Sequence, residues 1–166
     1  MPLGGLIAVP AGLSQRFQAG HTTGSSGRVP LVEKEAQTLD QEWRAHRPLL
    51  ADVRADPKAV WTHSEAVLAA AQALTVAYEK AAGTSSGKLV NLSGRQRMLS
   101  QRMAKAWLAM GLGIEGKRAE RILFDSMSWF DRQFVELKAF APTPEIKATY
   151  VALDPVWSEY KAALVG

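Results

Sequence analysis

The chain has 166 residues, 47% of them hydrophobic, which is enough for a single domain with a real core. It has no cysteine, which excludes disulfides, thiol nucleophiles and zinc-cysteine sites. No run approaches the roughly 20 apolar residues of a membrane-spanning helix. We therefore expect no transmembrane segment in this sequence. The start, MPLGGLIAVPAGLSQRF, lacks the basic region of a signal peptide, so we expect either that export is not encoded here or that the true beginning is missing.

Residues 1–29 are rich in glycine, serine, threonine and proline and have no sustained period. We predict a poorly structured leader there and one helical domain over residues 30–166. In the first helix, apolar residues spaced by three and four form a core seam: Val32, Ala36, Leu39, Trp43, His46, Leu50 and Val53. This helix is predicted to stop near Asp56, which would cap a second helix with Pro57 in its first turn.

The second helix has a predicted stripe at Val60, Val67, Ala71, Leu74 and Tyr78, and the sequence AAGTSSG ends it. A third helix is predicted to begin near Lys88 and to end at the glycines of GLGIEG, with a seam at Leu89, Leu92, Gln96, Leu99, Met103, Ala106 and Met110. The fourth helix has its seam at Leu123, Met127, Phe130, Phe134 and Leu137, and a fifth begins at Thr143-Pro144-Glu145.

The fifth helix repeats the first at a distance of 114 residues, which superposes Leu39 on Leu153 and Trp43 on Trp157. A repeat of this kind indicates a modular pattern of which the chain contains slightly more than one period. Four helices per period with short connections predict an all-α antiparallel four-helix bundle with one additional repeated helix.

Positive charge is concentrated on the third helix. The net charge is +4, and no acidic residue lies between Glu79 and Glu115. Six basic residues fall in that interval: Lys80, Lys88, Arg95, Arg97, Arg102 and Lys105. Such a patch attracts anions, whether nucleic acid, lipid headgroups, acidic protein or small oxyanions, although a solvated helix face is the commoner outcome.

The third helix has a second face away from its core seam, formed by Val90, Gly94, Arg97, Gln101, Ala104 and Leu108. Gly94 costs about 1 kcal/mol relative to alanine within a helix but permits close approach by another backbone. If this face packs on its own copy, a two-fold axis sets two copies of Arg97 against each other. An anion between the two guanidinium groups would relieve their repulsion. Arg95 and Arg102 lie on a different edge, beside the core seam.

The segment GRQRMLSQRMAK, residues 94–105, resembles the signature of the PilJ/NarX-type sensor domains of type IV pili chemotaxis transducers and nitrate/nitrite sensor kinases. The likeness extends over roughly residues 30–166, although this chain has one clear copy of the motif where related proteins have two. It implies an extracytoplasmic, dimeric four-helix bundle that senses nitrate or nitrite at the dimer interface. It also implies that Arg97 is the ligand arginine and Arg102 the second motif arginine, with Gly94 and Ser100 as further motif positions. We therefore predict that Arg97, Arg102, Gly94, Ser100 and Gln101 form the ligand-binding site, Gln101 being the neighbour of Arg97 on the second face.

Other chemistry has little support. The three histidines have no metal-ligand spacing, Ser100 has no triad partners nearby in sequence, and no phosphate-binding loop is present. We therefore expect no catalytic activity, no metal and no cofactor. The favoured hypothesis is a sensory domain that binds a small inorganic anion across a homodimer formed through residues 88–113. The alternatives are a basic helical module that docks on acidic protein, membrane surface or nucleic acid, with nucleic acid not favoured, and a receptor fragment that binds nothing.

Overall fold

The computed structural model describes residues 29–166, and within this range it contains five helices and no strand. They are α1 Val29–Ala51, α2 Pro57–Ala82, α3 Ser85–Gly111, α4 Gly116–Ala139 and α5 Pro144–Val165. The predicted all-α helical bundle is confirmed. The predicted leader, apart from Val29, lies outside the described residues.

Polar side chains determine where three of the helices begin. The Asp56 carboxylate accepts a hydrogen bond from the backbone N–H of Lys58 at 3.1 Å, and the Thr143 hydroxyl accepts one from Ile146 at 3.3 Å, as the sequence predicts. α3 begins at Ser85, earlier than the predicted Lys88, because the Thr84 hydroxyl caps it by accepting from the N–H of Gly87.

The end of α1 differs from the prediction. The helix ends at Ala51, and the side chains of Leu50 and Val53 are 56% and 101% exposed, so their assignment to a core seam was wrong. Asp52 accounts for the early end, since its carboxylate and its carbonyl accept from the N–H groups of Arg54 and Ala55. These local bonds replace those of a further helical turn.

The helices pack mainly in chain order. α1 with α2 and α3 with α4 form two extensively packed helical hairpins. The hairpins meet where α2 lies against α3, and α5 folds back onto α4 and α3. Among the described helices α1 contacts only α2. α3 therefore lies at the centre of the fold, with α2, α4 and α5 around it.

The core forms mainly along α3 and α4, and their predicted seams are confirmed. Met103, Ala106, Ala119 and Leu123 are completely or almost completely buried and join Phe134, Trp157 and Leu164 in one apolar cluster. Small residues on the facing surfaces let the two helices approach closely. None of the described helices is long and apolar enough to span a membrane.

The predicted stripe of α2 is only partly correct. Its predicted member Tyr78 is exposed, whereas Trp61, Glu65, Ala70 and Ala77 are the buried residues of this helix. Apolar spacing could not identify this face because its central residue is a carboxylate, which hydropathy places at the surface.

The two repeated helices occupy different environments despite their similar sequences. Trp157 and Leu164 of α5 are buried against α3 and α4, whereas Leu50, the counterpart of Leu164 in α1, is exposed. Among the described helices α1 packs on α2 alone, whereas α5 packs on α4 and α3, so the same sequence pattern makes two different sets of contacts.

The Glu65 carboxylate holds α2 on α3. One of its oxygens lies 2.6 Å from Nη2 and 3.1 Å from Nε of Arg102, and the other lies 2.5 Å from Nζ of Lys105. Burial alone would raise the pKa of Glu65, but hydrogen bonds and charge from Arg102 and Lys105 outweigh it and lower the pKa below its ordinary value of 4.5. Lys105 also donates to Ser64 and lies over the ring of Trp61.

We expect Glu65→Gln to destabilise the fold by about 2 kcal/mol. The substitution leaves two cations without an anionic partner, and the value lies between those of exposed and fully buried ion pairs because Arg102 and Lys105 are partly exposed. Urea denaturation measures the loss. The matched control is Arg44→Gln, which breaks the exposed Asp40–Arg44 pair and should cost less than about 0.5 kcal/mol. Equal losses in the two variants would contradict the role of Glu65.

The stabilisation by Glu65 should depend on pH in one direction. Its pKa is lower in the folded state than in the unfolded chain, so the stabilisation is complete above the ordinary value of 4.5. The stabilisation should be lost as the pH falls through the lowered pKa of Glu65 in the folded state. Urea denaturation of the parent and of Glu65→Gln between pH 7 and pH 3 should therefore give curves that converge at the acidic end. Parallel curves would exclude this linkage.

Candidate functional site on the third helix

Neighbouring helices neutralise much of the positive charge of α3. Lys88 forms an ion pair of 2.7 Å with Glu136 of α4, and Arg102 and Lys105 share Glu65 of α2. The sequence shows no acidic residue within α3, but it could not show these partners because they lie 37 to 48 positions away. Arg95 and Arg97 are the motif cations left without an ionic partner in the described chain.

The predicted second ligand, Arg102, lies on the side of α3 that faces α2. Its guanidinium group donates two hydrogen bonds to Glu65, and this contact stabilises the packing of α2 on α3. Arg97 lies five residues away, about 140° around the helix. The fold thus places the two motif arginines on different faces.

Arg97 lies at the edge of a groove between α3, α4 and α5. The groove has a volume of about 540 Å³ and a largely apolar lining, with Ser100 and Gln101 of α3 beside Arg97. Phe130 and Phe134 of α4 and Trp157 and Tyr160 of α5 form the opposite wall. Of the predicted site residues, Arg97, Ser100 and Gln101 line this groove, whereas Gly94 and Arg102 do not.

Aromatic residues fix α5 in this position. The rings of Phe130 and Trp157 are stacked with centroids 3.9 Å apart, and Trp157 Nε1 donates to Asp131 at 2.7 Å. The Tyr160 hydroxyl donates to the carbonyl oxygen of Ser100 at 2.9 Å. The apolar spacing of α4 and α5 predicts that Phe130, Phe134 and Trp157 are packing residues, but it does not reveal that they also line a groove.

The hydroxyl of Ser100 is already engaged, since it donates to the carbonyl oxygen of Arg97 at 2.8 Å. Gly94 lies at the open surface, where an added Cβ would meet no atom within 4 Å. No close backbone approach within the described chain requires a glycine there. Its lack of a side chain leaves room beside Arg97 for a group from outside this chain.

An exposed strip follows this side of α3, and we call it the α3 strip: Val90, Gly94, Arg97, Gln101, Leu108 and Leu112. These residues lie within about 40° of one line along the helix. Val90, Leu108 and Leu112 are 72%, 55% and 73% exposed. Three large apolar side chains on one exposed line, with an arginine and a glycine between them, form a surface suited to a partner.

Comparison with known proteins agrees with this motif. The family model described as type IV pili methyl-accepting chemotaxis transducer N-term matches residues 81–165, which contain α3, α4 and α5. No curated protein and no solved structure matches the chain. The match covers more than half of the sequence and includes the motif helix, so the chain belongs to the family of type IV pili methyl-accepting chemotaxis transducer N-terminal domains.

Proposed function

We propose that this domain is the sensory part of a chemotaxis-type signalling protein and that it binds a small oxyanion such as nitrate or nitrite between two copies of Arg97. The family match supports the signalling role. The resemblance of the motif to nitrate sensors supports the ligand class and an extracytoplasmic location.

The observation that carries the proposal is the exposure of Arg97 and its lack of an acidic partner in the described chain. Three neighbouring basic residues, by contrast, are paired. A planar guanidinium group donates two parallel hydrogen bonds to a planar oxyanion, which suits nitrate and nitrite.

The α3 strip supports a symmetric dimer. In a two-fold interface the same patch of both copies meets itself, so the apolar residues at the ends of the strip can pack on each other. Arg97 and Gly94 lie near the middle of the strip, where Gly94 allows the two helices to approach. The two Arg97 side chains then repel each other unless an anion binds between them.

The alternative of a basic docking helix is weakened by the ion pairs. Lys88, Arg102 and Lys105 would have to leave their carboxylate partners to contact a polyanion. Arg95 and Arg97 lie on nearly opposite sides of α3, so they cannot act as one patch. A single bridging anion needs only Arg97 and its copy.

We expect Arg97→Ala to weaken nitrate binding at least tenfold, because the variant loses the charge and the paired donors that hold the anion. Titration calorimetry of the dimeric protein with sodium nitrate measures the affinity. The control is Arg121→Ala, which removes an exposed arginine of α4 and should leave the affinity unchanged. Equal binding by Arg97→Ala, or no binding by the dimeric parent, would refute the ligand assignment.

We expect Leu108→Glu to weaken dimer formation at least tenfold, because it places a carboxylate in the apolar part of the proposed interface. Sedimentation equilibrium with and without nitrate measures the dimer fraction, which nitrate should increase in the parent by mass action. Val135→Glu alters an equally exposed apolar residue of α4 and should leave the dimer intact. A dimer that tolerates Leu108→Glu would show that the α3 strip is not the interface.

A further inference from the structure

A second cavity lies on the other side of α3, between α2, α3 and α4. Its volume is about 390 Å³, and it shares no lining residue with the groove beside Arg97. Arg95 lines it from α3, about 200° around the helix from Arg97. Small-molecule sites commonly have volumes of about 300 to 1,000 Å³, so the cavity is large enough for a small ligand.

Arg95 is the residue of this cavity whose hydrogen bonding is incomplete without a ligand. Its side chain is half-buried, and its Nε atom is shielded from solvent without a hydrogen-bond acceptor in the described chain. A charged donor that loses water and gains no acceptor destabilises the protein. An anion in the cavity would supply that acceptor.

The carboxylates on the cavity wall have other partners. Glu79 accepts a hydrogen bond from the Asn91 side chain, and Glu136 is paired with Lys88. Neither forms an ion pair with Arg95 in the described chain. Because these partners hold both carboxylates, the charge of Arg95 stays available inside the cavity.

The rest of the lining indicates which anion fits. Arg132 lies on the same wall, where its guanidinium group covers the ring of Trp129 at 5.1 Å and donates to Ser128 at 2.9 Å. Lys88, Arg95 and Arg132 against Glu79 and Glu136 leave one net positive charge, which a monoanion neutralises. A dianion would be repelled by the two carboxylates. Leu92 and Trp129 add apolar surface for a short hydrocarbon part.

We propose that this cavity binds the carboxylate group of a small organic monoanion, with Arg95 as the principal contact and Arg132 as a second. The site is distinct from the proposed oxyanion site, because it uses other residues on the opposite side of α3. A signalling domain with both sites would respond to two kinds of anion.

Titration calorimetry of the full chain with sodium propionate, at constant ionic strength in chloride, tests the proposal. We expect Arg95→Gln to lower the propionate affinity at least tenfold and Arg132→Gln to lower it several-fold. The matched control is Arg97→Gln, which should keep the propionate affinity of the parent and lose nitrate binding. Conversely, Arg95→Gln should keep nitrate binding, so failure of one site is distinguishable from failure of the other.

A fluorescence measurement provides an independent readout. Propionate should change the emission of the parent, and Trp129→Phe should abolish that change because Trp129 is the indole that lines the cavity. Circular dichroism checks the fold of each variant. Arg132 is exposed, so Arg132→Gln should remain folded and test the same cavity if Arg95→Gln unfolds.

Three results would overturn the proposal. The first is a parent that binds no propionate at millimolar concentration. The second is unchanged affinity in Arg132→Gln or in a folded Arg95→Gln. The third is tighter binding of sulfate or glycine than of propionate, which would make the ligand a dianion or a zwitterion.

Discussion

The carboxylate of Glu65 determines how charge is distributed on the central helix. A buried carboxylate is stable only when hydrogen bonds and opposite charge replace its lost hydration. Arg102 and Lys105 supply both, and in doing so they attach α2 to α3. This arrangement pairs two partly exposed cations with one carboxylate and gives them a structural role. The remaining arginines of the motif can then interact with ligands on other faces of the same helix.

The position of α5 connects the Arg97 side of α3 to the rest of the fold. Tyr160 contacts the backbone carbonyl of Ser100, less than one turn from Arg97, and Trp157 stacks on Phe130 of α4. A displacement of α3 at Arg97 would therefore act directly on α5. In a sensory domain this contact offers a physical route from the proposed anion site to the end of the bundle, through packed aromatic rings and one hydrogen bond.

Sequence patterns predicted most of the fold because helix formation and capping depend on residues that are close together in the sequence. The seams of α3 and α4, the caps at Asp56 and Thr143 and the all-helical class follow from apolar spacing and from side-chain acceptors. The packing of α2 followed only in part, since one of its four buried residues is Glu65, and a buried charge has no signature in hydropathy. The family of the motif and the shared position of Arg97, Ser100 and Gln101 were predictable from α3 alone. The groove and the second cavity were not, because helices distant in sequence form their walls.

Stability alone does not account for Arg95 and Arg97, the two motif arginines without an ionic partner in the described chain. The Nε atom of Arg95 is buried without a hydrogen-bond acceptor in the described chain, which costs free energy that an apolar side chain would avoid. Arg97 is exposed beside Gly94 and between exposed apolar side chains, and it forms no ion pair with the described chain. Local features that oppose stability are typical of functional sites, where a ligand or partner compensates the cost. Only Gln96 lies between the two arginines in the sequence, and they face nearly opposite directions, so the two proposed anion sites lie on different sides of one helix.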